Sequence, residues 1–209
     1  MIRAVIFDLD GVLRRWPPAG TRLIERRFRM PEGSIDRVAF AQALLERAVT
    51  GSITDEAWRE EVARGLEALH GTPARDAVDE WSSLRGEVDQ AVLELVRDVR
   101  RDAPVALLTN ATTRLSDDLV ALGLATEFDV IANSADLHRS KPDPGIFRLT
   151  ARLLGASCAD CVFVDDEPRH VVAARAVGMA AIQHRNAAMT RRRLARMGVL
   201  GSIPRLPTG

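Results

Sequence analysis

A short apolar run near the start of the chain ends in two closely spaced aspartates. Val5-Ile6-Phe7 precedes Asp8-Leu9-Asp10-Gly11, and the apolar, β-branched residues predict a buried parallel strand. Residues i and i+2 lie on the same face of a strand, so both carboxylates are expected at its carboxyl end, where open α/β sheets place their sites. Two carboxylates held that close repel each other, which indicates a divalent cation or a shared proton. The alternative for this segment alone is a strand ending in a solvated acidic turn.

Similar apolar runs recur later in the chain and alternate with amphipathic segments. Strands are predicted at residues 4–7, 105–108, 130–132, 161–164 and 179–182. Helices are predicted between the later strands at residues 88–101, 113–122, 144–154 and 168–177. This order predicts an α/β fold, a Rossmann-like parallel sheet core with helices on both faces.

Residues 17–85 interrupt this alternation and contain no clear strand. Their composition predicts helices near residues 21–29, 36–49, 54–69 and 74–84. A long helical crossover is one interpretation, but four helices exceed what a crossover needs, so an inserted helical cap is preferred. The expected organisation is a core of residues 1–16 and 86–185, a cap of residues 17–85, and a C-terminal helix and tail of residues 186–209.

Composition argues against several partners. Lys plus Arg and Asp plus Glu both number 29 in 209 residues, so net charge offers no electrostatic case for a nucleic-acid or membrane partner. No segment approaches the roughly 20 apolar residues of a membrane span, and no signal peptide is visible, so a cytoplasmic protein is expected. The oligomeric state stays open between monomer and homodimer.

Two features outside the strand ends are interpreted as incidental. Cys158 and Cys161 have no second Cys/His pair nearby and precede a strand, so reduced thiols without a zinc or redox role are expected. Residues 191–193 form a basic cluster in a short helix, which is interpreted as a solvated face. Residues 204–209 have the composition of a frayed end.

Three further strand ends carry polar residues that can do chemistry. Thr109-Asn110 follows one strand and suits phosphate oxygens, although Thr109 alone is equally typical of a helix N-cap. Prolines hold Lys141, one of very few lysines, just before a predicted helix, where a surface lysine is the plainer interpretation. Asp165-Asp166 offers hard oxygen ligands for Mg²⁺, and such acids also cap helices.

Taken together, these segments resemble the four motifs of the haloacid dehalogenase-like (HAD) hydrolase superfamily. Phe7-Asp8-Leu9-Asp10-Gly11 resembles the first motif, Thr109-Asn110 the second, Lys141-Pro142-Asp143-Pro144 the third and Val164-Asp165-Asp166 the fourth. The helical insert resembles the family's C1 cap, and the match covers roughly residues 1–184. The pattern is most similar to the phosphatase-type branch that includes the phosphatase domain of soluble epoxide hydrolase.

The resemblance implies a Mg²⁺-dependent phosphatase acting on a small phosphorylated metabolite. It assigns Asp8 as the nucleophile that forms an aspartyl-phosphate and Asp10 as the general acid and base. It assigns Mg²⁺ to Asp8, the Asp10 carbonyl and Asp166, and gives Asp165 an orienting role behind them. Finally, it places Thr109, the Asn110 N–H and Lys141 around the phosphoryl group.

Alternatives follow the same resemblance. A sugar phosphomutase of this fold retains both aspartates, and a non-catalytic binding protein is disfavoured by the intact motifs. A haloacid dehalogenase comes last, because such enzymes lack an aspartate at the position of Asp10. His170 is interpreted as a helix-surface residue, with a group near the site as the alternative. Arg14, Arg15 and Trp16 either contact substrate or form a surface with one packed tryptophan.

Overall fold

A central parallel sheet organises the chain. The computed structural model describes residues 2–17, 19–71 and 74–200. The strands of the chain are β1 (Ala4–Phe7), β2 (Arg14–Arg15), β3 (Glu87–Val88), β4 (Val105–Thr109), β5 (Val130–Asn133), β6 (Cys161–Asp165) and β7 (Ala180–Gln183). Five of them form the main sheet in the order β5-β4-β1-β6-β7, all paired in parallel. The predicted α/β fold is therefore confirmed.

Helices lie along the chain between these strands. They are α1 (Gly20–Arg27), α2 (Ser34–Ala39), α3 (Gln42–Val49), α4 (Asp55–His70), α5 (Ala74–Ser83), α6 (Gln90–Arg100), α7 (Leu115–Ala121), α8 (Ser134–Leu137), α9 (Pro144–Leu153), α10 (Pro168–Ala176) and α11 (Ala187–Arg196). As predicted, Pro144 and Pro168 start α9 and α10, since proline suits the first turn of a helix.

The sheet is buried on both faces. Within β1, Val5 and Phe7 belong to one hydrophobic cluster, whereas Ala4 and Ile6 belong to another on the opposite face. This follows from the two-residue period of a strand, and it explains why every position of the strand is apolar. The buried sheet gives the loops at its carboxyl edge a rigid base.

Helices α1 to α5 form a separate hydrophobic cluster that includes Ile35, Trp58 and Leu66. A buried glutamate, Glu25, ties α1 to α2 by accepting hydrogen bonds from the N–H groups of Gly33 and Ile35, both at 2.9 Å. These bonds satisfy amide groups at the start of α2, which have no partner within the helix.

The single helix predicted over residues 36–49 is wrong, because the chain forms two helices there. Helix α2 ends at Ala39 and α3 begins at Gln42, with Ala41 in an extended conformation between them. The indole N–H of Trp58 donates to the Ala39 carbonyl at 3.1 Å. A tertiary contact thus takes an acceptor that a continuous helix would use internally.

The helix predicted over residues 88–101 begins later, at Gln90. Val88 instead lies in β3, which pairs with β2 as a two-stranded antiparallel ribbon that the sequence pattern did not predict. Asp89 caps α6 by accepting hydrogen bonds from the N–H groups of Ala91 and Val92. The ribbon brings the segment after Asp10 back toward the core.

The last helix of the described residues, α11, packs on the core. Leu194 of α11 is fully buried, and Arg191 forms an ion pair with Asp98 of α6 at 2.7 Å. The basic cluster is thus only partly a solvated face, and the frayed end predicted at residues 204–209 lies outside the described residues. Cys158 and Cys161 are free, and burial raises the pKa of the Cys161 thiol to about 11. Among the described helices, none is long and apolar enough to cross a membrane.

Candidate active site

A buried ion pair lies at the centre of the carboxyl edge of the sheet. Asp8 directly follows β1, and its Oδ1 accepts hydrogen bonds from the Lys141 ammonium at 2.7 Å and from the Leu9 N–H at 2.7 Å. Lys141 also donates to Asp165 Oδ2 at 2.8 Å. Lys141, the only lysine in the chain, is 3% exposed and therefore buried, unlike the surface lysine of the alternative interpretation.

Burial and charge set the protonation of this group. Burial is the largest influence on Asp8 and raises the pKa of its carboxyl group to about 8, against the lowering effect of Lys141. Burial also acts to raise the pKa of Asp165, but hydrogen bonds from His170 and Lys141 outweigh it and lower that pKa to about 2. The site therefore holds one firmly ionised carboxylate, Asp165, beside one whose charge depends on nearby cations.

His170 is buried next to this pair, so its interpretation as a helix-surface residue is wrong. Its Nδ1 lies 3.1 Å from Asp165 Oδ2 and 3.3 Å from Oδ1, and its Nε2 is buried without a hydrogen-bond partner among the described residues. Helix α10 packs on β6, and its face that carries His170 is turned toward the sheet. One ligand atom each from Asp8, Asp165 and His170 lie within 4.8 Å of one another, with the Lys141 ammonium bonded to both carboxylates.

Thr109 and Asn110 follow the neighbouring strand, β4. Thr109 is the buried last residue of that strand rather than a helix cap, since the next helix begins at Leu115. The Asn110 side chain forms two hydrogen bonds with the Lys141 backbone, donating to its carbonyl at 2.9 Å and accepting from its N–H at 2.8 Å. Asn110 thereby positions the loop that carries the ammonium, a role that its sequence position alone did not indicate.

Asp10 lies in the turn after β1 and faces a different set of groups from Asp8. Its carboxylate accepts hydrogen bonds from Arg14 Nε at 2.7 Å, Arg14 Nη2 at 2.9 Å and Trp16 Nε1 at 2.7 Å. Arg14 is buried and also pairs with Asp118 at 3.3 Å, whereas Trp16 is 43% exposed. The alternative of surface arginines beside a packed tryptophan is therefore wrong for both residues, while Arg15 is exposed and pairs with Asp89.

Asp166 packs against the same turn. A Cβ atom built on Gly11, whose φ is +78°, would lie 2.3 Å from Asp166 Oδ2. Only glycine both tolerates this backbone conformation and leaves room for the carboxylate. Burial, followed by the charge of Asp165, raises the pKa of Asp166.

A cavity of about 400 Å³ opens beside Asp10 and Asn110, between the core and helices α2 to α5. Asp55, at the start of α4, borders it and accepts a hydrogen bond from Thr112 at 2.7 Å, while its N–H donates to Thr113. These bonds fix the helical module to the loop after β4. The volume of the cavity lies in the range of small-molecule binding sites.

The arrangement combines a buried carboxylate held by an ammonium with a second carboxylate at the edge of a partly open cavity. Such a pair can supply a nucleophile and a proton donor. Sequence reasoning left Arg14 and His170 open between a surface position and a place near the site, and it did not find the side-chain role of Asn110.

Comparison with known proteins gives a consistent family. A family model described as haloacid dehalogenase-like hydrolase matches residues 2–178. Phosphoglycolate phosphatase 1 of Pseudomonas aeruginosa is 30% identical, over 85% of this chain and 67% of its own length. Phosphatase MT3486 of Mycobacterium tuberculosis is 32% identical, over 97% of this chain and 96% of its own length. Bifunctional epoxide hydrolase 2 of Sus scrofa is 28% identical, over 99% of this chain and 41% of its own length.

A solved structure shares the fold. The HAD family enzyme bt-2542 of Bacteroides thetaiotaomicron, in complex with magnesium and inorganic phosphate, has a TM-score of 0.72. The two chains are 18% identical, and the match covers 88% of this chain and 95% of the other.

Proposed function

The chain belongs to the haloacid dehalogenase-like hydrolase family, and we propose that it is a Mg²⁺-dependent phosphatase that hydrolyses a small phosphorylated compound through a phosphoryl intermediate on Asp8. One observation carries the proposal. Asp8 is held through Oδ1 by the Lys141 ammonium, and Asp10, two residues later, borders a cavity sized for a small molecule. Phosphatases among the relatives support the same reaction class.

The first step is attack of Asp8 on phosphorus. Both described contacts of its carboxylate are on Oδ1, which leaves Oδ2 to form the new bond to phosphorus. The bond from phosphorus to the alcohol oxygen breaks, and a protonated Asp10 gives its proton to the leaving oxygen. In the second step Asp10 takes a proton from water, whose oxygen attacks phosphorus and releases Asp8 and inorganic phosphate.

Arg14 and Trp16 are proposed as positioning residues for Asp10. Three hydrogen bonds from these two side chains orient the Asp10 carboxylate at the cavity edge. Arg14 is itself fixed by Asp118 at the start of α7. The Asp10 side chain is therefore supported by the core, although it lies in a turn, and one of its bonds to Arg14 has to open when Asp10 carries the transferred proton.

Thr109, the Asn110 N–H and Lys141 are proposed to bind the phosphoryl oxygens. Thr109 ends β4 directly beside β1, so its hydroxyl and the next N–H share the sheet edge with Asp8. Charge on the phosphoryl group develops where Lys141 already neutralises Asp8. Asn110 maintains this arrangement through its two bonds to the Lys141 backbone.

The residues present fit a magnesium ion. Gly11 leaves space that a Cβ would fill, and the Asp166 carboxylate occupies it against the turn that carries Asp8 and Asp10. Carboxylate and carbonyl oxygens are the ligands that Mg²⁺ prefers, so Asp8, the Asp10 carbonyl and Asp166 would hold the ion. When bound, it would neutralise negative charge and lower the pKa of Asp8, which favours the nucleophilic carboxylate. Asp165 stays behind them, bonded to Lys141 and His170.

Residues 17–85 are proposed to act as a cap over residues 1–16 and 86–185. Their helices have a hydrophobic cluster of their own and close one side of the cavity. Helices over one side of the cavity restrict the access of large partners, which is consistent with a small phosphorylated substrate. The presence of Asp10 disfavours dehalogenation within this fold.

Hydrolysis of a panel of small phosphate esters tests the proposal. Wild-type protein with Mg²⁺ should release phosphate, EDTA should stop the release, and added Mg²⁺ should restore it. Asp8→Asn should abolish turnover while the far-ultraviolet circular dichroism spectrum stays unchanged.

Asp98→Asn is a matched control, since it removes a carboxylate from an ion pair of α6 away from β1. Near-full activity of Asp8→Asn would refute the nucleophile assignment. Loss of activity in both variants would show that the assay reports folding instead of chemistry.

A further inference from the structure

The cavity beside Asp10 has an aromatic wall contributed by the helical module. The rings of Trp58 and Trp81 lie 5.4 Å apart, and Phe40 lies 6.4 Å from the first and 6.3 Å from the second. The indole N–H of Trp58 bonds to the Ala39 carbonyl, so that ring contributes apolar surface. Aliphatic side chains extend the wall on either side, namely Leu45, Val49 and Leu84.

Part of this wall remains uncovered. Phe40 lines the cavity yet is 50% exposed, and Trp81 is half-buried. Large apolar side chains are normally buried against other protein groups, and an uncovered apolar wall inside a cavity is typical of a ligand site. The wall therefore has apolar surface that a ligand can bury.

The arginines of the cavity lining are already paired with carboxylates. Arg59 lies 2.7 Å from Asp55, and Arg114 lies 3.2 Å from Asp118. Arg14 is paired with both Asp10 and Asp118. Among the described residues, the cavity lining thus contains no guanidinium or ammonium group without a carboxylate partner.

This pairing disfavours a second negative group on the substrate. Four aspartates line the cavity against three arginines, and the fourth, Asp36, lies in the first turn of α2. A substrate carboxylate there would meet like charge and would have to displace an existing partner of an arginine. The phosphoryl end has its own cation, Lys141, which pairs with Asp8 and does not line this cavity.

We infer that this site is specific for a phosphomonoester of a neutral alcohol whose body is apolar and about the size of an aromatic ring. The inference rests on the proposed function, because it places the phosphoryl group at Asp8. The alcohol body then lies against Phe40, Trp58 and Trp81. The inferred specificity disfavours phosphoglycolate as the substrate of this chain, because the leaving group of phosphoglycolate carries a carboxylate.

Binding of three phosphonates, which cannot be hydrolysed, tests the inference independently of turnover. Benzylphosphonate carries a neutral ring, phosphonoacetate a carboxylate and 2-aminoethylphosphonate an ammonium group. Affinities are measured with Mg²⁺ by intrinsic tryptophan fluorescence and by calorimetry. Benzylphosphonate should bind at least about tenfold more tightly than either of the others, as expected for burying several apolar carbons. Equal or tighter binding of phosphonoacetate or 2-aminoethylphosphonate overturns the inference.

Variants of the wall locate the effect. Phe40→Ala should weaken benzylphosphonate about tenfold and leave phosphonoacetate unchanged, and its half-exposed side chain makes the fold tolerant of the change. Trp81→Leu provides a second test from the opposite side of the wall. Leu69→Ala is the matched control, because Leu69 is an exposed apolar residue of α4 that does not line the cavity.

If neither wall variant changes the ranking, the aromatic wall does not determine specificity and the inference is wrong. Failure of the proposed function has a different signature. In that case benzylphosphonate binding persists with its dependence on Phe40, but no phosphate ester of the panel is hydrolysed.

Discussion

Replacing Lys141 with methionine is expected to destabilise the metal-free protein by about 3–5 kcal/mol at pH 9. The ammonium forms ion pairs of 2.7 Å with Asp8 and 2.8 Å with Asp165, and all three side chains are at most 8% exposed. Methionine fills a similar volume but leaves both carboxylates without that partner. Breaking a buried pair in this way costs more than the pair itself contributes, because a charge stays buried without compensation.

The size of the loss depends on pH in a direction that the structure specifies. The folded-state pKa of Asp8 is raised from 3.8 to about 8, so this carboxyl group takes up a proton on folding at neutral pH. The stability that this group contributes is therefore present below pH 3.8 and lost as pH rises through about 8. Lys141 limits that loss by favouring the carboxylate, so the deficit of the variant should grow between pH 6 and pH 9.

Urea unfolding followed by tryptophan fluorescence measures the effect, in buffer with EDTA at both pH values. Adding Asp8→Asn to Lys141→Met removes the isolated carboxylate and should recover part of the loss at pH 9, with little recovery at pH 6. A loss of stability below about 1 kcal/mol would refute the reasoning, since an exposed ion pair contributes that much. A loss that is the same at both pH values would refute it as well.

Two other changes test particular contacts. Gly11→Ala should raise the Mg²⁺ concentration needed for half-maximal activity at least about tenfold, because its Cβ would lie 2.3 Å from Asp166 Oδ2. Gly33→Ala is the control, since its φ of +79° imposes the same backbone strain but its Cβ meets nothing within 4 Å. Equal effects of the two substitutions would exclude displacement of Asp166 as the cause. Glu25→Ala should lower the free energy of unfolding by about 2–4 kcal/mol, because it leaves a buried and a partly buried N–H group at the start of α2 without acceptors. The same urea titration of Glu32→Ala, which loses only an exposed ion pair, should show a change within about 1 kcal/mol, and similar losses in both would refute the capping role.

The sequence predicted the elements whose signal is local. Buried parallel strands are continuous apolar runs, so all five strands of the main sheet were found to within about a residue at each end. Proline starts of helices were equally readable, since Pro144 and Pro168 do begin α9 and α10. Tertiary contacts overrode local propensity in two places, where Trp58 bonds to the end of α2 and where Val88 pairs with Arg14.

The candidate site divides in a similar way. The sequence alone determined which carboxylates, hydroxyl and ammonium groups follow the carboxyl ends of the strands, because the strand positions follow from the apolar pattern and parallel strands end at the same edge. Only the tertiary structure decided that Asp8 pairs with Lys141 while Asp10 pairs with Arg14, and that His170 lies buried behind Asp165. These pairings join residues from separate segments, and their geometry depends on how helices and loops pack over the sheet. The aromatic cavity wall was decided at the same level, since Phe40, Trp58 and Trp81 come from three segments that meet only when the helical module folds.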